Sequence, residues 1–168
     1  MGLEAVVGLD HNAERIGLSN VSPQELLEII EFVKERIEAG ETIPPPRLPD
    51  VLQAYADPLR PAAELREICQ MHNIEFVSYS TLGTQHRNVK ENPVLSSPIV
   101  NKIATKHARS VAEVVLSWAI QSDMSVIPRS SKKQHIQELA RLLHDSPFLD
   151  ERDMDEIDSM SGNVASEL

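Results

Sequence analysis

The sequence has few aromatic residues, few glycines and almost no cysteine, and each shortage excludes a class of protein. Aromatic side chains make up 4% of its 168 residues, and the single cysteine, Cys69, permits no disulfide within the chain. One thiol in a chain of this size fits a reducing compartment. With 6 glycines and 41% hydrophobic residues, the composition is that of an ordinary globular protein, neither collagen-like nor disordered.

Positive charge and long apolar runs are also scarce. The chain has 16 basic and 26 acidic residues, which gives a formal net charge of −10. This balance argues against general binding to nucleic acid or to a membrane surface, since both need a positively charged surface. No run approaches the roughly 18 apolar residues of a membrane-spanning helix, and no signal peptide is visible after Met1. We therefore expect a soluble, cytoplasmic protein.

Amphipathic helices alternate with short apolar strands along the chain. Ser22 and Ser110 are each followed three residues later by glutamate, the capping-box pattern of a helix start. The predicted strands are 15–19, 51–54, 74–79 and 124–128, and the predicted helices are 22–37, 61–71, 110–119, 131–143 and 151–160. The fourth of these helices is predicted to face inward with Ile136, Leu139, Ala140 and Leu143. Repeated strand–turn–helix units predict an α/β fold with a parallel sheet.

The length allows one domain but not a complete eight-stranded parallel barrel, which takes roughly 200 residues or more. We predict a single domain over residues 1–168. Residues 35–49 include three consecutive prolines, which fit neither a helix nor a central strand, and are predicted as a proline-rich insertion loop. Residues 161–168 are predicted as a frayed tail.

Polar side chains follow the predicted strands, at the edge of a parallel sheet where ligands gather. They include Ser19 and Asn20 after the first strand, Gln53 in the second, Tyr79 and Ser80 after the third, and Arg129 to Ser131 after the fourth. These ends contain no carboxylate pair and no histidine, so they favour a polar ligand site over acid–base chemistry. The 6 histidines show no spacing of metal ligands, and Tyr55 and Asp57, beside a turn at Pro58, suggest no role.

The segment from Arg129 to His135 is basic within an acidic chain and lies at a predicted helix start. Arg129, Lys132 and Lys133, with free backbone N–H groups, suit a phosphate, although a solvated basic turn has the same composition. Tyr79 is suited to stacking on a planar ring or to acting as a general acid, or alternatively to the edge of the core. Trp118 and Cys69 are predicted to be buried.

Four strand-end motifs together resemble the C-terminal half of an aldo-keto reductase. They are Arg15–Asn20, Pro49–Pro58 around Gln53, Val77–Gly83 and Val126–Ser131, in register over nearly the whole chain from Ala13 to Met160. The resemblance implies a partial (β/α)8 TIM-type barrel. Its four βα units would correspond to strands 5–8 of the family barrel, followed by a C-terminal helix.

The resemblance also implies NADP(H) as cofactor and a role for each matched residue. Ser19, Asn20 and Gln53 would hold the nicotinamide carboxamide, Tyr79 would stack on the nicotinamide ring, and Ser80 and Leu82 would lie along the pyrophosphate; Arg129, Ser130 and His135 would face the 2′-phosphate and Glu138 the adenine. Four departures weaken the match. Thr81 stands where the family usually has proline, and His135 where it usually has arginine. Leu139 stands where the family often has asparagine, and Asp57 where a histidine is common.

The family reduces carbonyl groups with a tyrosine acid assisted by lysine, aspartate and histidine, all on its first four strands. This sequence starts in the helix before strand five, so we expect no catalytic residue in it and no turnover by this chain alone. On this expectation the chain resembles one half of a carbonyl or aldehyde reductase, and another half would complete the barrel. The open edges of this half barrel would permit self-association. The alternatives are a non-catalytic interaction or regulatory protein with a vestigial dinucleotide site, or a truncated gene product.

Overall fold

The structure, a computed structural model, describes residues 13–42, 45–87, 89–145 and 147–161. His11, two residues of the predicted insertion loop and residues 162–168 of the predicted tail lie outside these ranges. The strands are β1 (Gly17–Ser19), β2 (Val51–Tyr55), β3 (Glu75–Tyr79) and β4 (Ser125–Val126); the helices are α1 (Pro23–Glu38), α2 (Ala63–Met71), α3 (Pro98–His107), α4 (Val111–Gln121), α5 (Lys133–Asp145) and α6 (Glu151–Asp158). The chain alternates strands and helices, as its sequence predicts.

The strands form one sheet in the order β1-β2-β3-β4. β1 and β2 are parallel, with Leu18 opposite Leu52 and Ser19 opposite Gln53. The fold is therefore α/β with a parallel sheet. β4 has two residues, shorter than the predicted 124–128, because Ile127 is half exposed and Pro128 has no N–H to donate to a neighbouring strand.

The chain divides into two compact units, and the first consists of the described residues up to Ala54 together with Ala62–Val77. In it α1 packs on α2, and the core residues of the two helices are Leu26, Ile30, Val33, Ile68 and Cys69. The predicted capping box at Ser22 is present. α1 continues to Glu38, so the predicted insertion loop overlaps its last turn.

The second unit consists of Tyr55–Pro61 and the described residues from Ser78 onward. Its centre is α4, which contacts α3, α5 and β4. Trp118 is fully buried there, and its indole N–H donates a 2.7 Å hydrogen bond to Asp158 of α6. The predicted capping box at Ser110 is also present.

Two sequence-based expectations fail in the second unit. The inward face of α5 is wrong: Leu142 is buried, whereas Ile136 and Leu143 are 51% and 82% exposed. The helix α3 was not predicted, although Pro98 marks its first turn and Val100 and Ile103 bury one face. No helix within the described part of the chain is long and apolar enough to cross a membrane.

Candidate functional site

A cleft of about 340 Å³ opens in the second unit beside the start of α5. Its apolar lining is Leu82, Leu95, Ala112, Leu116, Pro128 and Leu139, and its polar lining is Ser110, Glu113, Arg129, Ser130, Gln134, His135 and Glu138. The fold thus brings the predicted residue Leu82 together with four predicted residues that follow β4. These residues surround a mainly apolar floor with a polar and basic rim.

The start of α5 is organised around the Ser130 hydroxyl. Its oxygen accepts a 3.1 Å hydrogen bond from the Lys132 N–H and lies 3.3 Å from Nδ1 of His135. Within the described residues, the Arg129, Lys132 and Lys133 side chains form no ion pair, and all three residues are exposed. Three unneutralised cations at a helix N-terminus attract an anion, since the helix dipole acts in the same direction.

A buried carboxylate, Glu113, forms part of the cleft wall. Arg141 donates from Nε and Nη2 to its two oxygens at 2.9 and 2.8 Å, and Arg109 contributes a third bond of 3.3 Å. Burial alone would raise the pKa of Glu113, but hydrogen bonds from Ser110 and the two arginines outweigh it and lower the pKa. The carboxylate is therefore ionised yet neutralised, so it does not repel an anion in the cleft.

The residues Ser80–His86, called here the β3 loop, carry the predicted contacts Ser80 and Leu82. Ser80 adopts a left-handed conformation with φ of 53°, and its hydroxyl accepts a 3.3 Å hydrogen bond from the Gln85 amide. Asn92 donates to the Leu82 carbonyl at 2.7 Å. A left-handed, non-glycine residue costs energy and persists where its surroundings hold it, as at many binding sites.

In the first unit, Ser19 and Asn20 at the end of β1 lie beside Gln53, the middle residue of β2. The Asn20 N–H donates to the Gln53 carbonyl at 3.0 Å, and the Asn20 side-chain amide donates to the Ser19 hydroxyl at 3.0 Å. Asn20 also has a positive φ of 56°. The fold therefore brings these three predicted residues next to one another, with Asn20 hydrogen-bonded to the other two.

A polar cluster around Asp57 was missed from the sequence. Asp57 is fully buried, and its carboxylate accepts hydrogen bonds from the Tyr55 hydroxyl, from Nε2 of His86 at 2.8 Å and from the N–H groups of Leu59 and Arg60 at 2.8 and 3.0 Å. Burial, and then the bond to Asp57, raise the pKa of the Tyr55 hydroxyl. The available signal was an aspartate before proline at a strand end, which is typical of a side chain that caps a turn.

The family model for the aldo/keto reductase family matches residues 12–161, so the chain belongs to this family. It is 36% identical over 123 residues to the 9,11-endoperoxide prostaglandin H2 reductase of Trypanosoma cruzi. It is 32% identical over 152 residues to aldo-keto reductase family 1 member A1 of Bos taurus. These alignments cover 73% and 89% of this chain but 38% and 42% of the two relatives.

Solved structures of the family have the same fold. A crystal structure of a Gox0644 mutant in complex with NADPH is 31% identical, with a TM-score of 0.71 over 94% of this chain and 51% of that chain. The aldo/keto reductase from Brucella melitensis is 27% identical, with a TM-score of 0.70 over 93% of this chain and 52% of that chain. The chain thus spans about half the length, or less, of the relatives it matches.

Proposed function

We propose that this chain forms the NADP(H)-binding part of a reductase for carbonyl compounds, with its four strands corresponding to strands 5–8 of the family barrel. The observation that carries the proposal is the cleft beside α5, where an apolar floor lies next to Arg129, an exposed cation without an ion pair among the described residues. An adenine ring is planar and apolar on its faces, and a ribose phosphate is a dianion, so this cleft fits one end of NADP(H).

Each part of the cleft suits one part of that cofactor. Leu116 and Leu139 provide apolar surface for the adenine, and Glu138 can accept a hydrogen bond from its amino group. Arg129, Ser130 and His135 would contact the 2′-phosphate, through charge and through hydroxyl and imidazole hydrogen bonds. A cofactor without that phosphate would gain nothing from these three side chains.

The remaining predicted contacts serve the other end of the cofactor. Tyr79 offers a ring for stacking on the nicotinamide, and the β3 loop offers Ser80 to the pyrophosphate. Ser19, Asn20 and Gln53 present amide and hydroxyl groups that match a carboxamide. These residues would orient the nicotinamide, which supplies a hydride when NADPH is bound.

In this proposal the residues named above bind and orient the cofactor, and neither tyrosine of the chain supplies the proton that carbonyl reduction needs. Its tyrosines are Tyr55 and Tyr79. The Tyr55 hydroxyl already donates to Asp57, and the proposed role of Tyr79 is stacking. The family's acid and its assisting residues belong to the first four strands, so turnover requires residues beyond those matched here.

Titration with NADPH, followed by nucleotide fluorescence, tests the proposal. Saturable binding by the folded chain, tighter for NADPH than for NADH, is the expected result. The oligomeric state and the reduction of an aromatic aldehyde are measured on the same sample. Binding without reduction fits both a reductase lacking its other half and a non-catalytic interaction or regulatory protein with a retained dinucleotide site. Absence of binding by a folded chain would overturn the proposal.

A further inference from the structure

The Asp57 cluster links the end of β2 to the end of the β3 loop. Asp57 lies two residues after β2, and its partner His86 is the last residue of the β3 loop. The pair is nearly removed from solvent, with side-chain exposures of 0% for Asp57 and 7% for His86. A hydrogen bond in such surroundings is strong because water does not compete for either partner.

The chain just before the β3 loop is fixed to the same residues. The hydroxyl of Ser78, in β3, donates to the Ala56 carbonyl at 2.8 Å and lies 2.7 Å from the Thr81 hydroxyl. Residues 56 and 57 therefore hold the chain on both sides of Ser80, at Ser78 before the loop and at His86, its last residue. Between these two anchors lie Ser80 and Leu82, the proposed pyrophosphate contacts.

The backbone of the loop needs such anchors. Ser80 and Gly83 both have positive φ, of 53° and 76°. In a loop without anchors, the left-handed serine would relax toward ordinary backbone angles, which cost less energy. The anchored loop keeps this conformation before any ligand binds, so less conformational entropy is lost on binding.

The Tyr55 ring connects the Asp57 cluster to Tyr79, the residue proposed to stack on the nicotinamide. Its ring centroid lies 6.0 Å from that of Tyr79 and 6.3 Å from that of His86. Because its hydroxyl is bound to Asp57, the ring orientation is fixed beside the proposed nicotinamide platform. The Asp57 carboxylate thus fixes both the Tyr55 ring, which lies beside Tyr79, and His86 at the end of the β3 loop.

We infer that Asp57 and His86 are positioning residues for the dinucleotide, which hold the β3 loop in its binding conformation without touching the cofactor. The inference rests on the proposed function, because it presumes that the β3 loop contacts NADP(H). It assigns a role to two residues for which the sequence pattern indicated no role. The conformation of the loop depends on the hydrogen bond between Asp57 and His86, and not only on the volume of the two side chains.

Substitutions that keep shape but change hydrogen bonding test this inference. Asp57→Asn preserves the size of the side chain, and its Oδ1 can still accept hydrogen bonds from Leu59 and Arg60. The amide nitrogen that replaces Oδ2 cannot accept the hydrogen bonds that Tyr55 and His86 donate. His86→Leu fills the space without a donor, and His86→Gln restores an N–H near the position of Nε2. The pair His107–Asp153, 2.6 Å apart between α3 and α6, supplies a matched control, His107→Leu.

Two quantities are measured for each variant: the NADPH dissociation constant, and hydrogen–deuterium exchange of the amides of Ser80–His86 in the free protein. We expect Asp57→Asn and His86→Leu to raise the dissociation constant about tenfold and to speed exchange in this segment about tenfold. His86→Gln should restore both values to within about threefold of the parent. His107→Leu should change neither.

Three outcomes would overturn the inference. The first is NADPH binding by Asp57→Asn and His86→Leu within about twofold of the parent. The second is an equal loss in His107→Leu, which would indicate general destabilisation. The third is a failure of His86→Gln to rescue binding that His86→Leu has lost. Absence of NADPH binding by the parent chain is distinguishable from all three, because it overturns the proposed function and this inference together.

Discussion

Arg141 of α5 forms a bidentate ion pair with Glu113 of α4, in which Nε and Nη2 donate to the two carboxylate oxygens at 2.9 and 2.8 Å. The glutamate also completes the capping box at Ser110. A single buried carboxylate therefore joins two helices, starts one of them and lines the candidate cleft. We therefore expect the stability of the protein to depend on Glu113 and, through the ionisation of its carboxylate, on pH.

We expect Glu113→Gln to lower the free energy of unfolding at pH 7 by about 2 kcal/mol. Arg141 loses its counter-charge, and Arg109 loses one of two, since it keeps its ion pair with Asp145. The pKa of Glu113 is lowered from its ordinary value of 4.5, so its stabilising effect is present above that pH and is lost as the pH falls below it. Urea unfolding at pH 7 and at about pH 3.5 should show the difference between parent and variant shrinking in acid.

The matched control for this prediction is Glu25→Gln in the capping box at Ser22. Hydrogen bonds from Ser22 lower the pKa of Glu25, but the residue is exposed and has no arginine partner among the described residues. We expect a clearly smaller loss of stability than for Glu113→Gln. Equal losses in the two variants would show that the capping box, and not the buried ion pair, carries the effect.

Arg129→Glu tests the proposed phosphate contact. Reversing the charge at the cleft rim should weaken NADPH binding about tenfold and leave NADH binding nearly unchanged, because NADH has no 2′-phosphate. The NADPH effect should diminish at high salt, since the rim is exposed. Fluorescence titration with both nucleotides measures it. Arg152→Glu, on the exposed surface of α6, is the control; equal effects of the two substitutions would contradict the assignment.

Tyr79→Ala tests the proposed stacking platform. Loss of the ring should weaken NADPH binding about tenfold, as stacking on an aromatic side chain is worth roughly 1–3 kcal/mol per base. Tyr79→Phe keeps the ring and should bind within about threefold of the parent. If Tyr79→Ala binds as the parent does, the ring belongs to the edge of the core and not to the site.

Gly83→Ala tests the packing of the β3 loop. Gly83 has a φ of 76°, and an added Cβ would lie 2.7 Å from the Val94 side chain and 2.8 Å from that of Asn92. We expect a loss of about 3 kcal/mol in the free energy of unfolding, from backbone strain and overpacking together. Gly40→Ala, with a φ of 73° and no atom within 4 Å of the added Cβ, should lose about 1 kcal/mol. Similar losses would exclude the packing contribution.

Cys69 should be unreactive in the folded protein. It is 1% exposed, and burial raises the pKa of its thiol to about 11. At pH 8 the thiolate is therefore a small minority, and a reagent cannot reach it. Alkylation by iodoacetamide, followed by mass spectrometry, should be at least about 100-fold slower in the folded chain than in denaturant. Fast labelling of the folded chain would contradict this burial.

Local signals in the sequence determined much of the fold. The helix starts at Ser22 and Ser110 were correct because a capping box needs only residues i and i+3. The alternation of strands and helices, and hence the parallel α/β sheet, followed from short-range periodicity. The family resemblance rested on motifs of about six residues at strand ends. Leu82, Arg129, Ser130, His135 and Glu138, which the resemblance assigned to one cofactor, line one cleft.

Only the tertiary structure decided which side chains are buried and what they pair with. Leu142, and not Ile136 or Leu143, faces inward in α5, because helical periodicity alone does not specify which side meets α4. Asp57 and His86 are 29 residues apart, and neither has a local pattern that predicts the other. Their pairing depends on the β3 loop folding back beside the end of β2. The sequence therefore determined the elements and the family, while long-range packing decided which distant side chains are buried together.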